Sequence, residues 1–344
     1  MKTGTFLSGL CGLGGLALLA VPAASAQSVE DFYKSKRLTV AVGSGAGGGY
    51  DIYARMLARH IVKHIPGNPS AVVQNQEGAA GVIATNLLAN KWDRDGSVIL
   101  ASYNNLTIQP LFNTQGIQYD PLTLSWIGSI AKLNNVCITW HASPVKTFKQ
   151  AMEREIILSS TGVTSNSSAV PNMLNKLVGT KFKVINGYST GTQRLAMEKG
   201  EAEGMCLAYS TFKASNQEWI QNKKINLLAQ VGMSKHPDLP DVPLATDFLT
   251  NPEDKQIMEL LNVPQEIGRP FVAPPGVPAD RLQALRRAFD ATMKDKDYLA
   301  ESERAHLETD PITGETITEM IKRAYAMPKA LIARAAAVNT VDKN

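Results

Sequence analysis

Short apolar segments alternate with longer amphipathic segments along the first third of the chain. Residues 38–43 alternate apolar and β-branched positions, a pattern typical of a strand. Tyr53, Leu57, Ile61 and Ile65 then recur every four residues, which predicts a helix with Asp51 at its N-cap. Residues 38–65 therefore predict a strand, a glycine-rich turn and a helix.

The same order repeats downstream. Residues 71–74 predict a second strand, residues 78–81 open a helix that runs through Ala89, and residues 98–103 predict a third strand. The third strand ends at the polar residue Asn104. Strands that alternate with helices in this way predict an α/β fold with a parallel, doubly wound sheet.

A second α/β unit follows the first. Its strands are predicted at residues 136–140, 156–159, 182–185 and 204–209. Beyond it, proline-rich segments alternate with helices predicted at residues 280–294 and 317–335. A tail of this length can return to the first unit. We therefore expect two α/β lobes with a ligand cleft between them, the first from residues 27–133 and 235–344 and the second from residues 134–234.

Two glycine turns end the first two strands, at residues 43–49 and 78–81. Each turn precedes a helix, so unpaired backbone amides and the positive end of the helix dipole point the same way. Asp51 and Arg55 are four residues apart and either pair on the helix surface or let Asp51 order the turn. This pattern predicts an anion site, for a nucleotide phosphate or a small carboxylate.

The first 26 residues have the pattern of a cleaved secretory signal. Lys2 is followed by an apolar run at residues 9–21 and by small residues at 24–26. The run is short for a membrane span, which needs about 20 residues. We expect export to the periplasm, with Cys11 lost in the leader.

The composition and charge of the chain limit the classes of partner that it can bind. With 44% hydrophobic and 19% charged residues, the chain is typical of a globular protein, and its net charge of +4 is thinly spread. No cluster of Lys and Arg is interleaved with aromatic residues, which argues against nucleic acid.

The sequence gives little support for nucleotide binding, for a metal site or for catalysis. The turn satisfies G-x-G-x-x-G, but residues 74–75 are Gln and Asn where a ribose-binding acid should end the second strand, and no Walker lysine follows. His60 and His64 share a helix, but they are more typical of a solvated rim than of a metal site. No set of nucleophile, base and orienting group can be assembled. We expect no metal, no cofactor and no catalysis.

Two cysteines remain after the leader, Cys137 and Cys206, both in apolar stretches that predict strands. In an oxidising compartment an even pair is a disulfide candidate. The alternative is two separate buried thiols that pack as small hydrophobic groups.

Several motifs, in order, resemble one family. They are G-G-x-D-x-x-A-R at residues 48–55, V-x-N-x-x-G-A-x-G at residues 73–81, the D-G turn at Asp95, T-G at Thr161, G-Y-S-T-G at residues 187–191 and A-P-P-G-V-P at residues 273–278. Over essentially the whole chain beyond the leader, the sequence resembles the extracytoplasmic receptors of tripartite tricarboxylate transporters, also called Bug receptors.

The resemblance implies a type II periplasmic-binding-protein fold in which first-lobe backbone amides hold a ligand carboxylate and second-lobe loops close over its far end. Carried over to this chain, the ligand-binding residues are Ser44, Gly45, Ala46, Gly47, Gly48, Gly49, Tyr50 and Asp51; Asn75, Gly78, Ala79, Ala80 and Gly81; Asn104; Thr161, Ser165, Ser167 and Ser168; Tyr188, Gly191 and Thr192; and Tyr209. The tyrosines either stack on an aromatic acid or pack in the core.

The expected function is therefore capture of a small carboxylate, such as a di- or tricarboxylate or an aromatic acid. The resemblance implies delivery of that ligand, by a monomeric receptor, to the large and small membrane subunits of a tripartite tricarboxylate transporter. Two alternatives remain open: a ligand-sensing protein for a membrane signalling receptor, and an exported enzyme on the same scaffold.

Overall fold

A computed structural model describes residues 27–162 and 165–340. The predicted leader at residues 1–26 lies outside this range. The strands are β1 (Leu38–Val42), β2 (Ala71–Asn75), β3 (Val98–Ala101), β4 (Ser125–Ser129), β5 (Asn135–Trp140), β6 (Ile156–Ser160), β7 (Phe182–Asn186), β8 (Gly204–Ala208), β9 (Ile225–Val231), β10 (Pro270–Ala273) and β11 (Ile312–Thr313).

The α-helices are α1 (Val29–Ser35), α2 (Gly49–Ile61), α3 (Val82–Asn90), α4 (Phe148–Glu153), α5 (Asn166–Leu177), α6 (Thr190–Glu198), α7 (Tyr209–Ser215), α8 (Gln217–Gln221), α9 (Pro252–Ile267), α10 (Ala279–Thr292), α11 (Lys296–Arg304), α12 (Gly314–Tyr325) and α13 (Lys329–Asn339). Short 3-10 turns connect several of them, including Ala79–Gly81 before α3 and Asn104–Thr107 after β3. Among these described helices, none has the length and apolar character needed to cross a membrane.

The strands form two sheets built on one plan. The first has the order β11-β4-β10-β3-β1-β2, and the second has the order β7-β6-β8-β5-β9. In each sheet, three neighbouring strands are parallel, and one antiparallel strand, β10 or β5, separates them from the next strand. The predicted parallel pairing of the first three strands is confirmed.

Both faces of each sheet are apolar and covered. Val40 and Val42 of β1 pack in one hydrophobic cluster, while Ala41 between them packs in another. In β5, Val136 and Cys137 divide in the same way. Because successive strand residues point to opposite faces, this division places helices on both sides of each sheet.

Two predictions for the last quarter of the chain were wrong. The single helix predicted at residues 317–335 is two helices, because Pro328 has no amide to donate and ends the continuous helical path. The proline-rich segment at residues 270–278 begins with strand β10, which sequence patterning did not predict. Pro270 is tolerated there because it is the first residue of the strand.

Helix α9 ends beside the segment that joins the two sheets. The Leu133 amide donates to the Gln265 carbonyl (2.7 Å), and the Arg269 amide donates to the Ala131 carbonyl (3.1 Å). Helix α13 packs on both α9 and α5, so the C-terminal helix contacts an element of each half of the molecule.

Cys137 and Cys206 lie opposite each other in the antiparallel pair β5–β8 and are joined by a disulfide, with Cα atoms 4.1 Å apart. Both residues are fully buried. The structure therefore contains the bridged form rather than the two separate thiols.

Candidate functional site

The two glycine turns meet at one edge of the first sheet. Because β1 and β2 are parallel and pair Val42 with Asn75, both strands end at the same level. A Cβ atom added to Gly43 in the first turn would lie 3.3 Å from the Cα atom of Gly81 in the second. The two turns therefore approach each other closely, and this approach depends on the missing side chains of the glycines.

The sequence predicted Asp51 as the N-cap of α2, and this prediction was wrong. The helix begins two residues earlier, at Gly49, with Gly48 at the N-cap. Asp51 instead reaches back over the first turn, where its carboxylate accepts hydrogen bonds from the Gly47 amide (2.8 Å), Arg55 Nε (2.9 Å) and Asn75 Nδ2 (2.9 Å). The side chain is almost fully buried and positions the turn rather than facing the cleft.

The electrostatics of Asp51 fit this positioning role. The Arg55 guanidinium, helped by the Gly47 amide and Asn75, lowers the pKa of Asp51 to about 2 although burial opposes the shift. Asn75 Nδ2 also donates to the Ser44 carbonyl (2.9 Å), so one side chain from β2 holds the first turn in two places. Asp51 and Asn75 thus fix the backbone whose amides form the predicted anion site.

The second turn has an unusual backbone. Gly78, Ala79, Ala80 and Gly81 all have positive φ angles, and for the two alanines the values are 45° and 50°. Left-handed conformations cost energy in residues that carry a Cβ atom. At Gly81 a Cβ atom would lie 2.5 Å from the Tyr103 ring, so only glycine fits there. Strain of this kind concentrates at functional sites.

Two charged groups that the sequence did not reveal flank the first turn. The Glu77 carboxylate lies against Gly45, with Oε1 3.0 Å from the position of an added Cβ atom. On the other side, Arg269 Nη2 lies 3.2 Å from the equivalent position at Gly49. The Arg269 guanidinium also stacks over the rings of Tyr50 and Tyr53, with its carbon 4.5 and 5.3 Å from the ring centroids.

Tyr50 and Asn104 tie the first turn to α9. The Tyr50 hydroxyl donates to Asn104 Oδ1 (3.1 Å), and Asn104 Nδ2 donates to the Pro264 carbonyl (2.7 Å). The Tyr50 ring packs against Tyr103, with centroids 4.5 Å apart. Tyr50 is therefore engaged in the protein itself, which favours the packing alternative, and its contact with a ligand stays a prediction.

In the second lobe, the predicted serine loop forms a hydroxyl cluster. Ser167 Oγ lies within hydrogen-bond distance of the hydroxyls of Ser160 (3.1 Å), Thr161 (3.3 Å) and Ser165 (2.8 Å). Ser168 is fully buried and accepts a hydrogen bond from Asn172, so the structure engages it within the protein, and its contact with a ligand stays a prediction. Residues 163–164 of this loop lie outside the described residues.

The start of α6 and the turn before it contain three residues that were predicted to bind the ligand, Tyr188, Gly191 and Thr192. Thr192 and Ser189 cap α6 reciprocally, which uses the Thr192 hydroxyl and amide within the helix. Gly191 is exposed, and the Tyr188 ring is half-buried beside a hydrophobic cluster. Tyr209 packs in that cluster against His236, with centroids 4.6 Å apart, and is 4% exposed. The structure therefore favours the packing alternative for Tyr209.

The sequence indicated a solvated rim for His60 and His64, but the structure places both histidines in contacts with another part of the protein. His60 Nε2 lies 2.7 Å from Glu301, and His64 Nε2 lies 2.9 Å from Asp295, so both join α2 and its extension to the α11 region. Within residues 27–162 and 165–340, no group of His, Cys, Asp and Glu is arranged to hold a metal ion.

A cavity of about 400 Å³ opens between the two halves of the molecule, and its size is typical of a small-molecule site. Ala80 of the second turn and Asn104 are the predicted site residues that line it. The other lining residues come from the segment after β3, from the first half of α5, from α9 and from the end of α13. Sequence patterning missed them because no local motif marks residues that converge from four separate segments.

The comparisons with known proteins agree with this architecture. The sequence profile of the tripartite tricarboxylate transporter family receptor, TctC, matches residues 53–336. The chain belongs to the TctC receptor family. A UPF0065 protein of Bordetella bronchiseptica is 22% identical over 288 residues, which cover 81% of this chain and 78% of that protein.

Two solved structures show how far the fold extends. A TctC solute-binding protein from Polaromonas, solved without ligand, superposes with a TM-score of 0.70 at 20% identity and covers 88% of this chain and 99% of its own. An R. palustris protein solved with adipate gives a TM-score of 0.58 at 17% identity, with coverage of 88% and 98%. The two-lobed periplasmic-binding-protein fold predicted for this TctC family member is thereby confirmed.

Proposed function

We propose that this chain is a periplasmic receptor that captures a small organic carboxylate in the cleft between its two lobes. In this proposal, residues 27–133 and 235–344 form the first lobe and residues 134–234 the second. The receptor acts as a monomer and delivers its ligand to the large and small membrane subunits of a tripartite tricarboxylate transporter. Membership of the TctC family supports this role.

The observation that carries the proposal is the contact between the two glycine turns beside the cavity. Backbone amides at the start of a helix bind a carboxylate through directed hydrogen bonds and the helix dipole, without a matched basic side chain. Gly43 and Gly81 bring both turns together, and Ala80 of the second turn reaches the cavity wall. The structural neighbour solved with adipate supports a carboxylate as the class of ligand.

A thermal-shift screen of the purified chain from residue 27 onwards tests this proposal. We expect at least one acid among di- and tricarboxylates, aromatic acids and amino acids to raise the melting temperature, because a ligand that binds only the folded state stabilises it. Calorimetry then gives the affinity, and recovery of the ligand unchanged after incubation excludes turnover. A folded protein that no acid stabilises would contradict the proposal.

Replacing Gly48 with valine should weaken binding of the acid found in this screen by about tenfold or more while the fold is retained. Gly48 is exposed and has φ −75° and ψ 164°, a conformation that valine adopts readily. Its new Cβ atom would lie 3.3 Å from the Gly45 carbonyl oxygen, so the turn itself needs only a small adjustment. The branched side chain would, however, stand over the amides at the start of α2.

Titration calorimetry and thermal melting measure the two effects separately. The control is Ala279→Val, because Ala279 is also exposed at the start of a first-lobe helix, α10, but belongs to neither glycine turn. We expect the control to bind as tightly as the unmodified chain. Unchanged affinity in Gly48→Val would place the carboxylate elsewhere.

A further inference from the structure

The lining of the cavity is neutral throughout its described part. Half of the lining residues are apolar, and the other half carry primary carboxamides. The carboxamides converge from several segments, with Asn105, Gln109 and Asn113 after β3, Asn166 on α5, and Asn262 and Gln265 on α9. No Lys, Arg, His, Asp or Glu is present among the described lining residues.

Two of these carboxamides have buried atoms that lack a partner. Asn262 is 2% exposed, and its Nδ2 donor has no hydrogen bond to a described residue. The buried Oε1 acceptor of Gln265 also has none. Residues three apart on a helix share a face, so the unpaired donor and the unpaired acceptor lie on the same side of α9, where both atoms are shielded from solvent. Unpaired buried polar atoms are costly, and a ligand that pairs both regains that energy.

The helix that carries this pair is held firmly. The Gln265 carbonyl accepts from the Leu133 amide, and the neighbouring Pro264 carbonyl accepts from Asn104 Nδ2. The backbone of α9 is therefore fixed to the segment between the sheets and to the end of β3. A donor and an acceptor on a fixed backbone select ligands by geometry, with little freedom to adapt.

Charge is placed at the glycine turn and not in the cavity. Arg269 lies at Gly49, where its guanidinium stacks on two tyrosine rings. Glu77 lies at Gly45 and makes neither a hydrogen bond nor an ion pair with a described residue. A second carboxylate in the cavity would find carboxamide donors but no cation, and neither of its oxygens could pair with the Gln265 Oε1 acceptor.

We propose that the ligand is a monocarboxylate whose other end is an uncharged carboxamide. Its carboxylate binds at the glycine turns, and its carboxamide enters the cavity, where the C=O accepts from Asn262 Nδ2 and the N–H donates to Gln265 Oε1. The apolar half of the lining covers the carbon chain between them. This inference rests on the proposed function and narrows its class of ligand.

Matched pairs of acids test the inference. Succinate, glutarate and adipate are each compared by calorimetry with the monoamide of the same length, so that one ionised oxygen is replaced by an NH₂ group. In the best-fitting pair we expect the monoamide to bind at least about tenfold more tightly than the dicarboxylate. The methyl ester of the same acid, which cannot donate, should lose most of this advantage.

Variants of the cavity give an independent measurement. Asn262→Leu should weaken binding of the monoamide by about tenfold and change dicarboxylate binding little, because only the carboxamide uses the donor. Gln109→Lys, which places a cation in the lining, should shift preference towards the dicarboxylate. Gln256→Lys is the control, because Gln256 is exposed on α9 outside this cavity. Melting curves establish that each variant is folded, and Gln265→Leu replaces Asn262→Leu if the latter is not.

The outcomes separate the inference from the proposed function. If the tightest-binding acid in the pairs and in the thermal-shift screen carries a second ionised group, the inference is wrong and the carboxylate receptor stands. If no acid binds in either experiment, both the proposed function and the inference that rests on it are wrong.

Discussion

Replacing Asp51 with alanine is expected to lower the free energy of unfolding by about 2–4 kcal/mol and to weaken ligand binding by at least tenfold. The substitution removes the acceptor for three donors from three places: the Gly47 amide in the first turn, Arg55 on α2 and Asn75 at the end of β2. Because Asp51 itself is 2% exposed, water cannot easily replace it. The first turn then loses the contacts that fix its backbone.

Urea denaturation measures the stability, and calorimetry with the acid from the ligand screen measures the affinity. Asp280→Ala is the matched control, since Asp280 also lies in the first turn of a first-lobe helix but is exposed. We expect the control to change the free energy of unfolding by less than about 1 kcal/mol. Loss of stability with intact affinity would show that the turn does not need Asp51 to form the site.

The same carboxylate predicts a dependence on pH. Arg55 lowers the pKa of Asp51 from its ordinary 3.8 to about 2, so the folded state favours the ionised form. Its contribution to stability is therefore complete above about pH 4 and is lost as the pH falls through 3.8 towards 2. Between pH 4 and pH 2 the unmodified chain should lose more stability than Asp51→Asn, which has no proton to gain there. Parallel curves for the two proteins would contradict the assignment.

The alternation of strands and helices was sufficient to predict the parallel strands. The meeting of the two glycine turns is consistent with that pairing, because neighbouring parallel strands end at the same sheet edge. The role of Asp51 was harder to assign, since N-cap and third helical position differ by only a few residues. The decisive fact, its bond to Asn75 on the next strand, is a contact between residues 24 apart.

The cavity could not be predicted because its lining depends on long-range packing. Asn262 and Asn105 are ordinary polar residues in the sequence, and nothing local shows that α9 comes to lie beside the segment after β3. Arg269 was hidden for a related reason. It precedes β10, a short strand in a proline-rich segment, and only pairing with β3 and β4 brings it behind the first turn. The burial of Tyr209 and Ser168 was hidden as well, because the sequence does not show which residues pack around them.

Removing the Cys137–Cys206 disulfide should lower the free energy of unfolding by about 2–4 kcal/mol. The bridge joins positions 69 residues apart, so it restricts a long loop of the unfolded chain, and the entropic contribution of such a crosslink grows slowly with loop length. Both residues are fully buried at the centre of the second sheet. The paired substitution to alanine therefore also leaves a small loss of packing.

Chemical denaturation of the chain from residue 27 onwards, with and without reductant, measures this contribution. The Cys137→Ala/Cys206→Ala variant should be insensitive to reductant and slightly less stable than the reduced protein, because it also lacks the two sulfur atoms. Alkylation under denaturing conditions checks the bond itself. Without reductant we expect no added mass, and with reductant we expect two labelled cysteines. Labelling of both cysteines in the unreduced protein would show that the thiols are separate. The disulfide lies between β5 and β8, away from the first-lobe turns, so the variant should retain the affinity for its ligand even as it loses stability.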